Sequence, residues 1–96
     1  MSESLPTNVT PGRRTPTFTA ASVPAGLLRA HRAAVWAQLV VEAGTVRFVD
    51  EASGTETMAT PAVPVTIVPD VPHHVVPSEN AEFHVQFFTV GPVTST

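Results

Sequence analysis

The fold is decided by residues 82–90, which read Glu82-Phe83-His84-Val85-Gln86-Phe87-Phe88-Thr89-Val90. Aromatic and β-branched residues of this kind are typical of a strand, in which successive side chains point to opposite faces. One face carries Phe83, Val85 and Phe87. The other carries His84, Gln86 and Phe88. The first set makes the more obvious core face, but the pattern leaves open which face points inward.

Seven further short strands are expected upstream of this one. Ten prolines and five glycines leave few windows free of a helix breaker. Together with residues 82–90, the expected strands lie near 17–23, 27–31, 35–42, 46–50, 56–59, 65–68 and 73–76. Eight short strands with turn residues between most of them predict an all-β sandwich, jelly roll or barrel.

The longest window without proline or glycine, residues 27–43, fits both a helix and strands. Its alanine-rich middle can be read as helical. A strand is favoured because Val40 and Val41 lead, two residues later, into Gly44, which is expected to form a hairpin turn. Val46, Phe48 and Val49 then follow at once, as a second strand of that hairpin would.

The chain has 96 residues, of which 43% are hydrophobic and 14% charged, and this predicts one globular domain. Polar, proline-interrupted ends suggest flexible tails at 1–12 and 91–96 around a folded domain at 13–90. So small a domain is marginally stable unless it closes its sheet or pairs with a copy of itself. We therefore expect a homodimer.

Charge and cysteine content exclude several classes of function. The net charge is −3, and the five basic residues form no cluster, which argues against binding to nucleic acid or anionic membranes. The absence of cysteine excludes disulfides, thiolate catalysis and thiolate zinc sites. The amino terminus lacks the pattern of a secretory signal, and no segment has the length of an apolar membrane span, so a cytoplasmic protein is expected.

Three of the four histidines are candidate site residues, because neutral imidazole is the strongest metal ligand that a cysteine-free chain offers. The fourth, His74, is expected to be an exposed polar residue, since strand alternation points it away from the face of His73. His31, His73, His74 and His84 all lie on or beside expected strands. The spacing from His31 to Gly44 is that of the first metal motif of cupin barrels, with Ala33 and Ala37 at two of its ligand positions. The run Val68-Pro69-Asp70-Val71-Pro72-His73 is similar to the approach to the second motif.

Segments along most of the chain resemble one branch of the cupins, the tellurite-resistance-protein-B-like family, whose function is largely unknown. Its members are stand-alone stress-associated proteins or amino-terminal modules of some tellurite-resistance methyltransferases. The resemblance rests on residues 14–18, 23–28, 31, 35–41, 44–48, 69–73 and 83–88. It implies a single cupin-type β-barrel, that is, a double-stranded β-helix or jelly roll.

The resemblance also implies a metal site at the mouth of the barrel, formed by His31, His73 and a carboxylate on the last strand. Gln86 stands at the position of that carboxylate, and a neutral amide is a poorer ligand. His84 shares a strand face with Gln86 and is a substitute candidate. The ion would be Zn, Fe, Ni or Mn, although the site could also hold no metal. His31 could instead bond a backbone carbonyl at a strand end.

Two further residues are candidates for a ligand pocket. Trp36 can stack on a ligand, although core or dimer packing is the more ordinary role of a lone tryptophan. Gln38 can line the cavity if its amide finds a partner there.

Three classes of function remain open. The first is a protein that binds a divalent metal or small ligand, in a stress or tellurite-resistance setting. The second is a metal-dependent enzyme of the oxygenase, isomerase or cyclase type. The third is a non-catalytic structural or interaction module. No nucleophile elbow or phosphate-binding glycine loop is present, which removes the hydrolase and kinase classes.

Overall fold

The computed structural model describes residues 5–91 and contains eight β-strands and one short 3-10 helix in that part of the chain. The 3-10 helix spans Ala25–Leu28. The strands are β1 (Val9–Arg14), β2 (Phe18–Thr19), β3 (Ala37–Ala43), β4 (Val46–Asp50), β5 (Glu56–Ala59), β6 (Val65–Ile67), β7 (His73–Pro77) and β8 (Glu82–Val90). The all-β class predicted from the sequence is therefore confirmed.

The strands form two antiparallel sheets. The larger sheet has the order β1-β8-β3-β6, and β2 also pairs with β8. The smaller sheet has the order β5-β4-β7. The long strand β8 organises the larger sheet, because β3 pairs along one of its edges while β1 and β2 share the other.

The core lies between the two sheets. Leu39 faces Val85 and Val41 faces Phe83 across the β3–β8 pair, and all four side chains are buried. From the smaller sheet, Val46 packs into the same core. Burying an aliphatic or aromatic side chain of this size stabilises a fold by about 1.5–3 kcal/mol. The face of β8 that points inward is thus the one that carries the odd-numbered residues.

The sheets do not close into the barrel that the sequence predicted, and that expectation is wrong for the described residues. The short strand β6 pairs with β3, and no ladder joins it to the smaller sheet. Pro64 and Pro69 lie close to its two ends, and proline has no N–H to donate to a ladder. An isolated bridge between His31 and His73 connects β7 to the segment before β3 instead.

The strand expected at 27–31 is also wrong. The 3-10 helix begins after Pro24, and the amide of Leu27 donates to the carbonyl of Pro24 at 3.0 Å. Pro24 itself is extended, with φ −58° and ψ 138°, and lies just outside the turn, where proline's fixed φ is tolerated. Of the expected strand, His31 alone makes a β-bridge.

Residues 9–12, expected within a flexible tail, are instead part of β1. Val9 and Thr10 pair with Val90 and Thr89 of β8. Pro11 is compatible with this position because β1 is an edge strand. The amide of Gly91 donates to the carbonyl of Asn8 at 2.8 Å, which extends the pairing. Residues 1–4 and 92–96 of the expected tails lie outside the described residues.

Within residues 5–91, no helix has the length and apolar character needed to cross a membrane.

Gly44 makes the tight β3–β4 turn possible. Its φ is +70°, a conformation that side chains disfavour. A Cβ at this position would lie 2.9 Å from the Cα of Ala81 and 2.8 Å from Oγ of Ser78. Gly54 has a similar φ of +74°, but a Cβ there would meet no atom within 4 Å.

We therefore expect Gly44→Ala to be more destabilising than Gly54→Ala. The backbone strain is common to both variants, so the difference measures the steric clash, which costs about 1–3 kcal/mol in a packed site. Urea unfolding of the two variants gives that difference directly. Equal free energies of unfolding would contradict the close packing of this turn against the β7–β8 connection.

Candidate ligand cavity

A cavity of about 390 Å³ lies between the two sheets and is lined mostly by apolar side chains. The larger sheet contributes Ala37 and Leu39 of β3 and Phe83, Val85 and Phe87 of β8. Other lining residues are Thr15, Phe18, Pro24, Gly26, Leu27, His31, Arg32, Ala33, Ile67, His73 and Val75. The alternation of β8 predicted the three residues of the core face. The contributions of the loops, such as Leu27 and Arg32, had no signal in the sequence pattern.

His31 and His73 lie side by side at this cavity. Their backbones form a reciprocal pair, in which each amide donates to the other's carbonyl at 2.9 Å. The two imidazole centroids are 4.3 Å apart and the ring planes are inclined by 70°. Two residues that are far apart in sequence thus form one local unit, and both line the cavity.

The hydrogen bonds of both rings fix their tautomer. Nδ1 of His31 lies 2.9 Å from the carbonyl oxygen of Arg29, and Nδ1 of His73 lies 2.9 Å from that of Val71. A carbonyl oxygen only accepts, so each Nδ1 must carry the hydrogen. In the neutral ring, Nε2 then bears a free lone pair. The pair therefore offers two Nε2 atoms that can accept a proton or a hydrogen bond, or bind a metal.

Burial keeps His73 neutral. The side chain is almost fully buried, and the ring of Phe48 lies 4.9 Å from its own, centroid to centroid. Burial lowers the pKa of His73 because it penalises the charged form, and the nearby His31 lowers it further. The Val71 carbonyl and Asp50 act in the opposite direction but are outweighed. At pH 7 the imidazole of His73 is therefore an acceptor at Nε2.

The structure places His84 away from this pair, on the opposite face of β8 from the cavity-lining residues. Nδ1 of His84 is 2.7 Å from Oε2 of Glu42. The same carboxylate oxygen accepts a hydrogen bond from Thr17 at 2.8 Å. These bonds to His84 and Thr17 lower the pKa of Glu42. His84 is thus held by a carboxylate on the outer face of the larger sheet.

Gln86 shares this outer face. Its Nε2 donates to the carbonyl oxygens of Gly12 at 3.0 Å and Phe87 at 2.9 Å. The sequence predicted Gln86 and His84 as partners of His31 and His73, but the structure does not bring the two sets together.

Trp36 and Gln38 do not line the cavity. Gln38 lies opposite Gln86 in the β3–β8 pair, on the face away from the cavity. Trp36 is partly buried, and its carbonyl accepts a hydrogen bond from the amide of Phe88. The cavity is instead lined by Ala37 and Leu39, which flank Gln38.

The donor set at the cavity is a poor fit to a metal held by protein ligands alone. In the part of the chain that the structure describes, no three histidine, cysteine, aspartate or glutamate side chains form a group that could hold an ion. Two histidines would leave the remaining coordination positions to water or to a bound molecule.

Comparison with known proteins identifies relatives in both sequence and structure. The sequence model of the TehB-like domain matches residues 13–85. No curated protein sequence matches the chain.

Two solved structures share the fold. A protein from E. coli (strain K12) superposes with a TM-score of 0.88 at 20% identity, covering 98% of this chain and 94% of that one. TehB from Haemophilus influenzae superposes with a TM-score of 0.78 at 22% identity, covering 88% of this chain. The match covers 32% of the TehB chain, so this chain corresponds to about a third of that protein.

The hydrogen bond to Val71 predicts the Nδ1–H tautomer for His73. Long-range ¹H–¹⁵N correlation spectra at pH 7 should show a protonated Nδ1 and an unprotonated Nε2. His74 follows His73 on β7 and its Nδ1 contacts Glu51, so it serves as an internal reference for a carboxylate partner. An Nε2–H tautomer at His73 would contradict the proposed direction of the free lone pair.

Proposed function

This chain belongs to the family of TehB-like domains, and we propose that it binds a small, largely apolar molecule in the cavity between its sheets. The polar end of that molecule meets His31 and His73. The observation that carries the proposal is a cavity of about 390 Å³ with an apolar lining and this one pair of imidazoles.

The size and lining of the cavity support this function. Binding sites for small molecules are mostly apolar hollows of about 300–1,000 Å³ with a few polar groups that orient the ligand. An apolar cavity of about 150 Å³ already holds benzene, so this one has room for roughly one or two aromatic rings. Each CH₂ group that leaves water for such a lining contributes about 0.8 kcal/mol.

Two alanines support a ligand cavity over a metal centre. Ala33 and Ala37 stand at positions where the resemblance to cupins places metal ligands, and both line the cavity. Small apolar side chains there leave open space beside His31 and His73. We propose that the domain is a cupin-like variant in which this space takes an apolar ligand.

The family relationship supports a biological setting. TehB-like domains are related to a tellurite-resistance family, and we propose that the ligand is handled in stress or detoxification. TehB itself is about three times as long as the part that superposes on this chain. What this chain shares with it is the fold of that part, and the proposal of ligand binding rests on the cavity of this chain.

Filling the cavity should abolish ligand binding without unfolding the protein. In Ala33→Phe, the added ring would occupy the space that the ligand needs. We expect the wild type to bind toluene or p-cresol, measured by chemical-shift changes of the lining residues, and the variant to lose these changes.

The matched control is Ala34→Phe, since Ala34 is exposed and lies outside the cavity lining. It should bind as the wild type does. The proposal fails if no small apolar molecule perturbs the lining residues of the wild type, or if both variants bind equally well.

A second candidate function is the binding of a divalent metal by His31 and His73. One observation favours it: both Nδ1–H groups donate to backbone carbonyls, the arrangement that typically orients metal-binding histidines. The absent third protein ligand weighs against it, and we therefore rank it below the apolar ligand. A metal-dependent enzyme of the oxygenase, isomerase or cyclase type would need this candidate to hold first.

Elemental analysis separates the two candidates. If the pair binds a metal, protein purified without a histidine tag should contain Zn, Fe, Ni or Mn, and His73→Ala should contain several-fold less. His74→Ala is the control for the loss of one imidazole outside the cavity. A wild type and a His73→Ala variant that are equally free of metal would end this candidate.

A further inference from the structure

We infer that the ligand of this cavity is an apolar molecule with a neutral N–H or O–H donor, such as a phenol or an indole. This inference rests on the proposed function and adds to it the chemical class of the ligand. It follows from the hydrogen-bonding groups that the cavity presents and from those that it lacks.

Both histidines line the cavity, and His73 also lines a second hollow together with Phe48 and Asp50. Their Nδ1–H groups are already used by the carbonyls of Arg29 and Val71. The lone pairs of Nε2 therefore remain for the ligand. A phenol O–H or an indole N–H can donate to one of them, whereas an ether, ketone or hydrocarbon offers nothing to either.

Covering these acceptors without replacing their hydrogen bonds is costly. An unpaired buried acceptor costs about 1–3 kcal/mol. Among the described residues, every fully buried side-chain nitrogen or oxygen has a hydrogen-bond partner. Nε2 of His73 has no partner within residues 5–91, so it is not fully buried and some open space reaches it. A ligand that displaces water from Nε2 must supply the donor that the water supplied.

A charged ligand end fits the site less well. Among residues 5–91, no carboxylate lines the cavity to neutralise a cation. Asp50 is opposite His73 in the β4–β7 pair, but its Oδ1 accepts from the amides of Ala52 and Ser53 and it does not line this cavity. The lone pairs of the imidazoles repel an anion. Arg32 is the cation of the lining, but it is exposed, so an anion paired with it would leave Nε2 of His73 without a donor.

A panel of matched small molecules tests the inference on the full chain. The probes are p-cresol, which has a donor, 4-methylanisole and toluene, which have none, and p-toluate, which is an anion. Their affinities are measured by NMR titration at pH 7.5 in the presence of EDTA. We expect p-cresol to bind about fivefold more tightly than 4-methylanisole, as one net hydrogen bond predicts.

Variants identify the acceptor. In His73→Phe and His31→Phe, the preference for p-cresol over 4-methylanisole should fall toward onefold, while binding of toluene persists. The control His74→Phe removes an imidazole that does not line the cavity and should keep the preference. If His73→Phe does not fold, His31→Phe carries the test, because His31 is only partly buried.

The outcomes separate the inference from the proposed function. If p-cresol, 4-methylanisole and toluene bind equally, the donor class is wrong and the apolar cavity stands. Tightest binding of p-toluate would assign the selectivity to Arg32 and would also overturn the donor class. If none of the four probes binds, the proposed function fails and the inference fails with it.

Discussion

The reciprocal hydrogen bonds between the backbones of His31 and His73 are the constraint on which the site depends. They tie the segment before β3 to β7, and so link the larger sheet to the smaller one where no continuous ladder does. They also bring two imidazoles to a centroid distance of 4.3 Å. Each ring is then held through Nδ1 by a carbonyl two residues before it, that of Arg29 or Val71. The ring of Phe48 also packs against that of His73.

The cavity follows from the sizes of the residues around this bridge. Large side chains such as Phe83 and Leu39 close the core, while Ala33 and Ala37 leave space next to the histidines. Protein interiors are normally packed without voids of this size. The hollow of about 390 Å³ is instead partly open to solvent, so a small molecule could reach it without unfolding the sheets.

The sequence predicted the carboxyl-terminal half of the fold well. The bounds expected for the strands at 46–50, 56–59 and 82–90 agree with β4, β5 and β8. Alternating side chains and flanking proline or glycine carry that information locally. β1 was missed because its strand conformation depends on pairing with β8, some eighty residues later in the chain. Likewise, the sheets of residues 5–91 do not close into a barrel because no ladder joins them, and such long-range pairing leaves no local pattern in the sequence.

The site was also predictable only in part, because local spacing is visible in the sequence and long-range contacts are not. Motif spacing singled out His31 and His73, which the structure brings together. Whether His84 and Gln86 could join them depended on which face of β8 points inward, and the alternating pattern left that open. Their hydrogen bonds to Glu42 and to the carbonyl of Gly12 hold them on the outer face. Such long-range partners leave no local signal in a sequence.

An open, apolar cavity adjoins the His31–His73 bridge. A crystal structure of the protein under xenon pressure is the most direct test of this cavity. Xenon binds in apolar cavities. We expect an anomalous xenon peak between the sheets, beside Ala33 and Ala37, with both Nε2 atoms directed toward the cavity. A collapsed interior with no xenon site, or imidazoles that point into different compartments, would contradict it.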